Sequence, residues 1–430
     1  MGTTVANTYL ESLLAGQSHL SASPLAWLNW LRAEAVDRIS SLTVPTTRDE
    51  EWRFTDLSPL TKISLQRVPR RVQLPAAEIE RYMLPESVAR LVFIDGIYAP
   101  ELSVTETDKG VTVQNLAAVV AHTAALESQL GKHVAFHDNV FAALNTAFLH
   151  DGALIIVPHD TVLDRPLHLL FIATQSAAIY PRCLLLAGAR SAVTLVEDYM
   201  TITDNAYLND AVTEIVVADG ARVEHVRVQR EAASAFHIAS CAVSLARASC
   251  YRSVSVTLGA RLSRYDLNVT LHADSAECMV DGLTLIGGQQ LADTHTCIDH
   301  AQPQGVSRQL HKCIAGGASH AVFNGKILVR QDAQLTDSTQ SSRNLLLSGR
   351  AHADIKPQLE IFADNVKCAH GATVGQLDDE ELFYLKSRGM TEDAARNLLT
   401  YAFGAEIIDR IPIVSLRQRL EEAVQITVQP

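Results

Sequence analysis

The middle of this chain, from Gly152 to about Gly375, is a long succession of short β-prone runs, such as PLHLLFIAT, AVTLVEDYM and GKILVRQDAQLTD. Turn-forming residues separate these runs about every 8 to 12 positions, a spacing typical of a sandwich, a barrel or a solenoid. The stretch exceeds 200 residues, which is awkward for one sandwich but natural for stacked rungs about 4.8 Å apart. Although no strict sequence period marks the rungs, its length favours a β-solenoid.

The composition agrees with a narrow, layered interior. Hydrophobic residues make up 47% of the 430 residues but aromatic ones only 6%, so the core must be built mainly from Ala, Val, Leu and Ile. The net charge of -12 argues against binding to nucleic acid or to an anionic membrane, since both need basic patches. The chain start lacks the pattern of a secretory signal and no run reaches about 18 apolar residues, so we expect a soluble, cytoplasmic protein.

Helical patterns flank the β-rich part. Before it, Ser23 followed by Pro24 predicts a helix start, and the turn pair Asp95-Gly96 lies within short alternating runs. Apolar residues recur at helical spacing after the first of these signals, at Leu25, Leu28, Leu31 and Ala35. We therefore expect three regions: a helical and mixed region over 1–150, a solenoid over 151–375 and a helical region over 376–430.

The predicted C-terminal helices have clear boundary signals. Asp378 with Glu381 resembles a capping box, Gly389 predicts a stop, and Thr391 predicts the next helix start. Pro412 breaks that helix, and a third one is expected from Ser415. Its apolar stripe, together with that of the preceding helix, favours internal packing over a partner-docking face.

Common catalytic signatures are absent from the sequence. There is no phosphate loop of the G-x-x-x-x-G-K-[ST] type, no G-x-S-x-G elbow and no H-E-x-x-H. The seven cysteines are odd in number, scattered and without a C-x-x-C pair, which favours reduced thiols over a disulfide framework or a self-contained zinc site. Because the phosphate loop is missing, ATP hydrolysis by this chain is not expected.

Cys368 and His370 are the strongest candidate metal ligands. They lie two residues apart in an extended stretch, so that a thiol and an imidazole point the same way. Iron and zinc commonly take about four donors, so the pair is either no metal site or half of one that another chain completes. The neighbouring Lys367 is expected to favour the thiolate, although a buried, inert cysteine is the alternative.

A second candidate lies in the segment DTHTCIDHAQP, which places three ligand-type side chains on one face of a predicted strand: His295, Cys297 and Asp299. Polar residues facing outward from a solenoid explain them equally well, and we favour that interpretation. Other histidines lack local partners and are interpreted as surface or satisfied core residues, among them His272, His311 and His320.

One long run carries a family resemblance. The segment FNGKILVRQDAQLTDSTQSSRNLLLSGRAHADIKPQLEIFADNVKCAHGATVGQLDDEELFYLKSRGM closely resembles the SufB/SufD scaffold family of iron-sulfur cluster assembly, and its GATVGQLD ending is similar to the SufD branch. The segments EEWRFTDLSPL and LNTAFLHDGALIIVP are also similar to that branch. The resemblance spans nearly the whole chain.

The resemblance implies a mainly β fold, a right-handed parallel β-helix flanked by N-terminal and C-terminal α-helical regions. It implies pairing with SufB through the C-terminal end of the β-helix and binding of the ATPase SufC through the C-terminal helical region. His370 would correspond to the histidine of the family's CxHGAT motif, with Cys368 beside it, and the two would hold iron or a nascent iron-sulfur cluster at the interface with SufB. No cluster would stay bound to the isolated chain, which could form a homodimer.

Two classes of function follow. The first is a non-enzymatic assembly scaffold. The second is a β-solenoid enzyme acting on a polysaccharide, which would need convergent carboxylates in a groove.

Overall fold

Two long β-sheets that face each other form the body of the molecule in a computed structural model, which describes residues 2–17, 20–68, 70–119 and 123–427. The strands of the first half are β1 (Ala89–Ile94), β2 (Ile97–Tyr98), β3 (Thr112–Asn115), β4 (Ala153–Val157), β5 (Leu167–Ala173), β6 (Ala178–Ile179), β7 (Arg182–Ala187), β8 (Ala192–Thr201), β9 (Leu208–Val217) and β10 (Arg222–Arg230). Those of the second half are β11 (Phe236–Leu245), β12 (Cys250–Thr257), β13 (Leu262–Leu271), β14 (Glu277–Ile286), β15 (Leu291–His300), β16 (Val306–Ala315), β17 (His320–Val329), β18 (Asp337–Leu346), β19 (His352–Ile361) and β20 (Lys367–Gly375).

The strand order defines a solenoid. From β7 onward, successive strands alternate between the sheets, and each pairs in parallel with the strand two positions later. The first sheet runs β2-β1-β5-β8-β10-β12-β14-β16-β18-β20, and the second runs β19-β17-β15-β13-β11-β9-β7-β4-β3, with β6 beside β9. The predicted parallel β-solenoid is therefore confirmed, with helices at both ends of the chain.

The interior between the sheets is built mainly from aliphatic side chains, as the composition predicts, although it also holds a buried hydrogen bond between His225 and Glu197. Residues of both sheets share one apolar cluster, represented by Leu195, Ile215, Val223, Val243 and Val269. Strands of this kind are buried on both faces for much of the solenoid, which accounts for their nearly continuous apolar runs.

Helices cover the outer faces of the two sheets. They are α1 (Gly2–Leu14), α2 (Ala26–Ile39), α3 (Ala76–Ile79), α4 (Thr123–Gln129), α5 (Val140–Ala147), α6 (Asp379–Ser387), α7 (Glu392–Ile408) and α8 (Val414–Thr427), with short 3-10 helices at Glu50–Trp52, Glu80–Tyr82, Pro100–Leu102 and Leu116–Ala118. The helices α1, α2, α4 and α5 pack against the second sheet, for example Leu144 with Val212 in one cluster, whereas Ile79 of α3 packs with Val92 of the first sheet. The C-terminal helices pack against the first sheet, where Ile407 and Leu416 join Val226.

The N-terminal region also contributes strands. β1 pairs in parallel with β5, and β3 pairs antiparallel with β4, so this region continues both sheets. The predicted turn at Asp95-Gly96 joins β1 to β2, with both residues at positive φ. The proposed boundaries at 150 and 375 remain predictions, although the main run of parallel strands begins with β4 and ends with β20.

The predicted start of α2 needs a correction. The N-cap is Leu25 rather than Ser23, and the helix begins at Ala26. Asn29 bonds back to the backbone N–H and C=O of Ser23, which holds that residue in the segment leading into the helix. The predicted apolar stripe is otherwise confirmed, since Leu28 and Ala35 are buried.

The C-terminal boundaries follow the sequence closely. Asp378 caps α6 by accepting hydrogen bonds from two backbone N–H groups, and Thr391 caps α7 in the same way with one. Gly389 stands at a φ of +94°, a value that favours glycine at a helix stop. The third helix begins at Val414, one residue before the predicted Ser415. No helix within the described residues is long and apolar enough to cross a membrane.

Candidate functional site

The C-terminal end of the solenoid is open among the described strands. β20 pairs only with β18, and β19 pairs only with β17, so one edge of each last strand has no neighbour. An uncovered strand edge presents unpaired backbone N–H and C=O groups, which are a template for pairing with another chain. Exposed apolar side chains lie in or beside these strands: Phe362 is 64% exposed and Val374 is 50% exposed.

Cys368 and His370 lie at this open end, in the first half of its last strand. Both belong to β20, where Cys368 is the register partner of Ser338 and His370 that of Gln340. Their spacing of two places both side chains on one face of the strand, as predicted. Cys368 is half-buried and packs at the edge of a small apolar cluster with Leu359, whereas His370 is exposed.

The preceding turns place polar side chains next to these two residues. At the register position of Cys368, the hydroxyl oxygens of Ser307 and Ser338 in the two preceding turns of this sheet are 2.6 Å apart. At the register position of His370, the side-chain amide of Gln309 donates a hydrogen bond to Gln340 over 3.4 Å. Cys368 and His370 therefore continue two rows of buried polar side chains into the last turn.

The Cys368 thiol is not activated by its neighbour. Burial is the main cause that raises its pKa above the ordinary value, and the negative charge of Asp337 raises it further. The expectation that Lys367 favours the thiolate is therefore wrong in this chain. A metal ion bound at the sulfur would supply the positive charge that the protein does not.

One chain offers too few donors at this place. Among the described residues, only one group of three or more metal-type ligands is close enough to share an ion, and it contains neither Cys368 nor His370. A thiol and an imidazole leave about two positions of a four-coordinate ion unfilled. Any iron or cluster held here needs donors from outside this chain.

The residues of the second candidate metal site, His295, Cys297 and Asp299, do not bind one another. His295 lies between two carboxylates, with its Nε2 2.9 Å from Asp293 Oδ1 and its Nδ1 3.2 Å from Glu51 Oε2. Burial opposes the imidazolium, but these carboxylates outweigh it and raise the pKa of His295 to about 9. This histidine holds the Glu50–Trp52 segment against the second sheet.

The other two residues of that candidate are not its partners. Asp299 accepts two hydrogen bonds from Arg330, at 2.9 and 2.6 Å. Burial raises the pKa of the Cys297 thiol to about 11. The three side chains share one face but do not form a metal cluster among the described residues, which supports the interpretation as outward polar residues.

The three other histidines named from the sequence have different surroundings. His272 is exposed, which confirms the interpretation as a surface residue. His311 is buried and stacks on Phe323 with ring centroids 4.4 Å apart, but its Nε2 has no hydrogen-bond partner among the described residues, so the interpretation as a satisfied core residue is wrong for it. His320 is partly buried and hydrogen-bonded, since its Nε2 lies 2.7 Å from Asp354, and its ring stacks on His352. These partners lie more than thirty positions along the chain and meet only through strand register, which local spacing cannot reveal.

The C-terminal helices are only partly buried. α8 turns Leu416, Leu420 and Val424 into the protein, as the stripe predicts. On α6, however, Phe383 is 74% exposed and Tyr384 is 56% exposed. Adjacent exposed aromatic residues of this kind are typical of an interaction surface.

Comparison with known families covers most of the chain. A family model described as "SUF system FeS cluster assembly, SufBD core domain" matches residues 170–403. A second, described as "SufBD protein N-terminal region", matches residues 3–169.

Individual relatives are similar over nearly their full lengths. An iron-sulfur cluster assembly SufBD family protein of Synechocystis is 42% identical over 91% of this chain and 89% of its own. The iron-sulfur cluster assembly protein SufD of Escherichia coli is 32% identical over 88% of each chain, and that of Bacillus subtilis is 24% identical over 93% of this chain and 94% of its own.

Proposed function

This chain belongs to the SufBD family of iron-sulfur cluster assembly proteins, and from that premise we propose that it is a non-catalytic, SufD-like scaffold subunit of a complex of the SufBCD type. The observation that carries the proposal is the open end of the solenoid, which holds two metal-type donors beside two unpaired strand edges. No observation favours the alternative of a polysaccharide-cleaving enzyme.

The partner at the open end is a SufB subunit. β19 and β20 offer backbone hydrogen-bonding groups, and strands of a second solenoid would pair with them by extending both sheets. Pairing would also cover Ile361, Phe362 and Val374, whose side chains are exposed. Two copies of this chain would pair through the same edges when the SufB subunit is absent, so the isolated chain would be a homodimer.

The iron or nascent cluster is the substrate of the complex, held transiently between the subunits. His370 contributes an imidazole nitrogen and Cys368 a thiolate, and the partner subunit supplies the remaining donors. The cluster would then pass on to its acceptor protein, because neither subunit alone completes the coordination. The isolated chain would hold no cluster stably.

The ATPase activity of the complex belongs to a SufC subunit that docks on α6, α7 and α8. This assignment is supported by the missing phosphate loop in the sequence and by the exposed aromatic pair of Phe383 and Tyr384. Because α7 and α8 pack directly on the first sheet, movement of the docked ATPase would be transmitted to the solenoid. The complex would work in the cytoplasm.

Reconstitution tests this proposal. The chain is purified alone and together with SufB and SufC subunits from the same source, and each sample is incubated anaerobically with iron(II), sulfide and a thiol reductant. The expected result is an iron-sulfur absorption spectrum from the assembled complex and none from the lone chain. Failure of the three subunits to copurify, or an equally stable cluster on the lone chain, would overturn the proposal.

A further inference from the structure

A second group of metal-type side chains lies on the second sheet, away from the strand that carries His370. His320 of β17 and His352 of β19 are register partners, and Asp354 follows His352 by two residues on the same face. Each residue offers one ligand atom, and these atoms all lie within 4.8 Å of one another. We propose that His320, His352 and Asp354 form a binding site for a divalent transition-metal ion with two imidazole nitrogens and one carboxylate oxygen as donors.

The strand register holds the three donors together. Adjacent parallel strands lie about 4.8 Å apart, so the two imidazoles are neighbours without any special loop. The histidine rings are stacked with their centroids 4.1 Å apart, and His320 Nε2 is 2.7 Å from Asp354 Oδ2. Asp354 reaches diagonally to His320, and its own register partner, Val322, has no polar side chain.

Small movements would bring these atoms to metal-binding geometry. Donors around a tetrahedral zinc ion lie about 3.3 Å apart, given bonds of about 2.0 to 2.1 Å. An ion that replaces the proton between His320 Nε2 and Asp354 Oδ2 would therefore increase the distance between these two atoms by roughly 0.6 Å. His352 is exposed, so its ring is free to turn from stacking toward the ion.

The donor set selects the class of ion. Imidazole nitrogens suit zinc, iron(II), cobalt and nickel, whereas magnesium and calcium prefer oxygen donors alone. His320 is partly shielded, with 19% of its side chain exposed, and Asp354 is 37% exposed, so one side of the ion would face solvent. Three protein donors with an open position are typical of exchangeable or reactive metal sites rather than closed structural ones.

Cobalt(II) binding tests this site in the full-length chain. The parent protein carries Cys368→Ser and His370→Ala, so that failure of this proposal is separable from failure of the proposed function. Titration with cobalt(II) should give visible absorption bands of nitrogen and oxygen ligation, without thiolate charge-transfer bands. His352→Ala and Asp354→Ala should each weaken this binding more than about tenfold, since loss of even an outer-shell partner typically costs 10- to 100-fold.

His159→Ala is the matched control. His159 is an exposed histidine hydrogen-bonded to a carboxylate, 2.9 Å from Asp160, but no second imidazole stacks on its ring among the described residues. Its replacement should leave the cobalt(II) affinity unchanged. Equal affinities of the parent and His352→Ala proteins, with folding verified by circular dichroism, would overturn the proposal, as would an equal loss in His159→Ala.

Discussion

His370 lies beside Gln340 in the parallel register of β20 and β18, yet Gln340 is 2% exposed and His370 is exposed. Gln340 is covered by the turn that contains His370, and it donates a hydrogen bond to the carbonyl of Gly325. Each turn of a solenoid is buried by the next one, so the last turn depends on a cap or a partner. In this chain the last turn carries the two candidate cluster ligands.

A charge at the open edge should block pairing. Val374 is 50% exposed in β20, and Val374→Lys would place an ammonium group where the partner subunit is proposed to pack. Isothermal titration calorimetry should show at least about tenfold weaker binding to SufB, a loss of about 1.4 kcal/mol. Val162→Lys is the control, since Val162 is 47% exposed in the loop between β4 and β5; equal affinities of the two variants would place the interface elsewhere.

An aromatic residue of α6 should anchor the ATPase subunit. Phe383→Ala is expected to raise the Kd for SufC by about tenfold or more, because exposed aromatic anchors are typical binding hot spots. The melting temperature of the Phe383→Ala protein should not change, since the Phe383 side chain is 74% exposed. Trp30→Ala is a matched control with 78% exposure on α2. Undiminished SufC binding by the Phe383 variant would reject this docking surface.

This point variant is a sharper test than removal of the whole tail. Deleting residues 376–430 would also uncover apolar residues of the first sheet such as Val226 and Ile314, which pack with Ile407 and Leu420. A loss of binding after such a deletion would therefore not separate docking from misfolding.

A buried ion pair should be essential for stability. Glu214 accepts a hydrogen bond from Arg182 at 2.5 Å and others from the backbone N–H groups of Gly131 and His133. Glu214→Ala would leave these donors without their acceptor and should lower the free energy of unfolding by about 3 to 5 kcal/mol. Urea denaturation measures this loss.

The control for that measurement is an exposed ion pair. Arg247 and Asp219 are 3.2 Å apart with most of their side chains in solvent, so Asp219→Ala should change the stability by less than about 1 kcal/mol. Similar losses in the Glu214 and Asp219 variants would contradict the assigned role of burial.

The folded chain should become less stable above neutral pH because His295 loses its proton. Its pKa is raised to about 9 because Asp293 and Glu51 outweigh the effect of burial. A raised folded-state pKa gives stability that is fully present below about pH 6.5 and is lost as the pH rises through about 9. The stability advantage over His295→Gln should therefore be largest near pH 6 and shrink by pH 9.5 in denaturation curves, whereas a constant difference would exclude this contribution.

Much of this arrangement could be predicted from local sequence. The turn spacing and length predicted a solenoid, and capping residues such as Asp378 and Thr391 marked the C-terminal helices because their hydrogen bonds are local. The same-face placement of Cys368 and His370 followed from strand periodicity.

The rest depends on contacts that join distant parts of the chain. His320 meets His352 only through the strand register, and His295 meets Glu51 only because the N-terminal segment folds over the second sheet. The environment of Cys368 differs from the prediction for the same reason: Asp337, whose negative charge adds to burial in raising the pKa of the thiol, belongs to the preceding turn of the solenoid. Spacing along the sequence carries no information about these pairs.

The assembled complex gives the most direct test of the role of His370. His370→Ala should leave the circular dichroism spectrum of the chain unchanged and preserve the complex, because the side chain is exposed. His272→Ala, which removes another exposed histidine, is the matched control. After anaerobic reconstitution with iron(II) and sulfide, we expect a full iron-sulfur absorption spectrum from the complex with His272→Ala and a strongly reduced one from the complex with His370→Ala. Equal cluster yields from the two complexes would contradict this expectation.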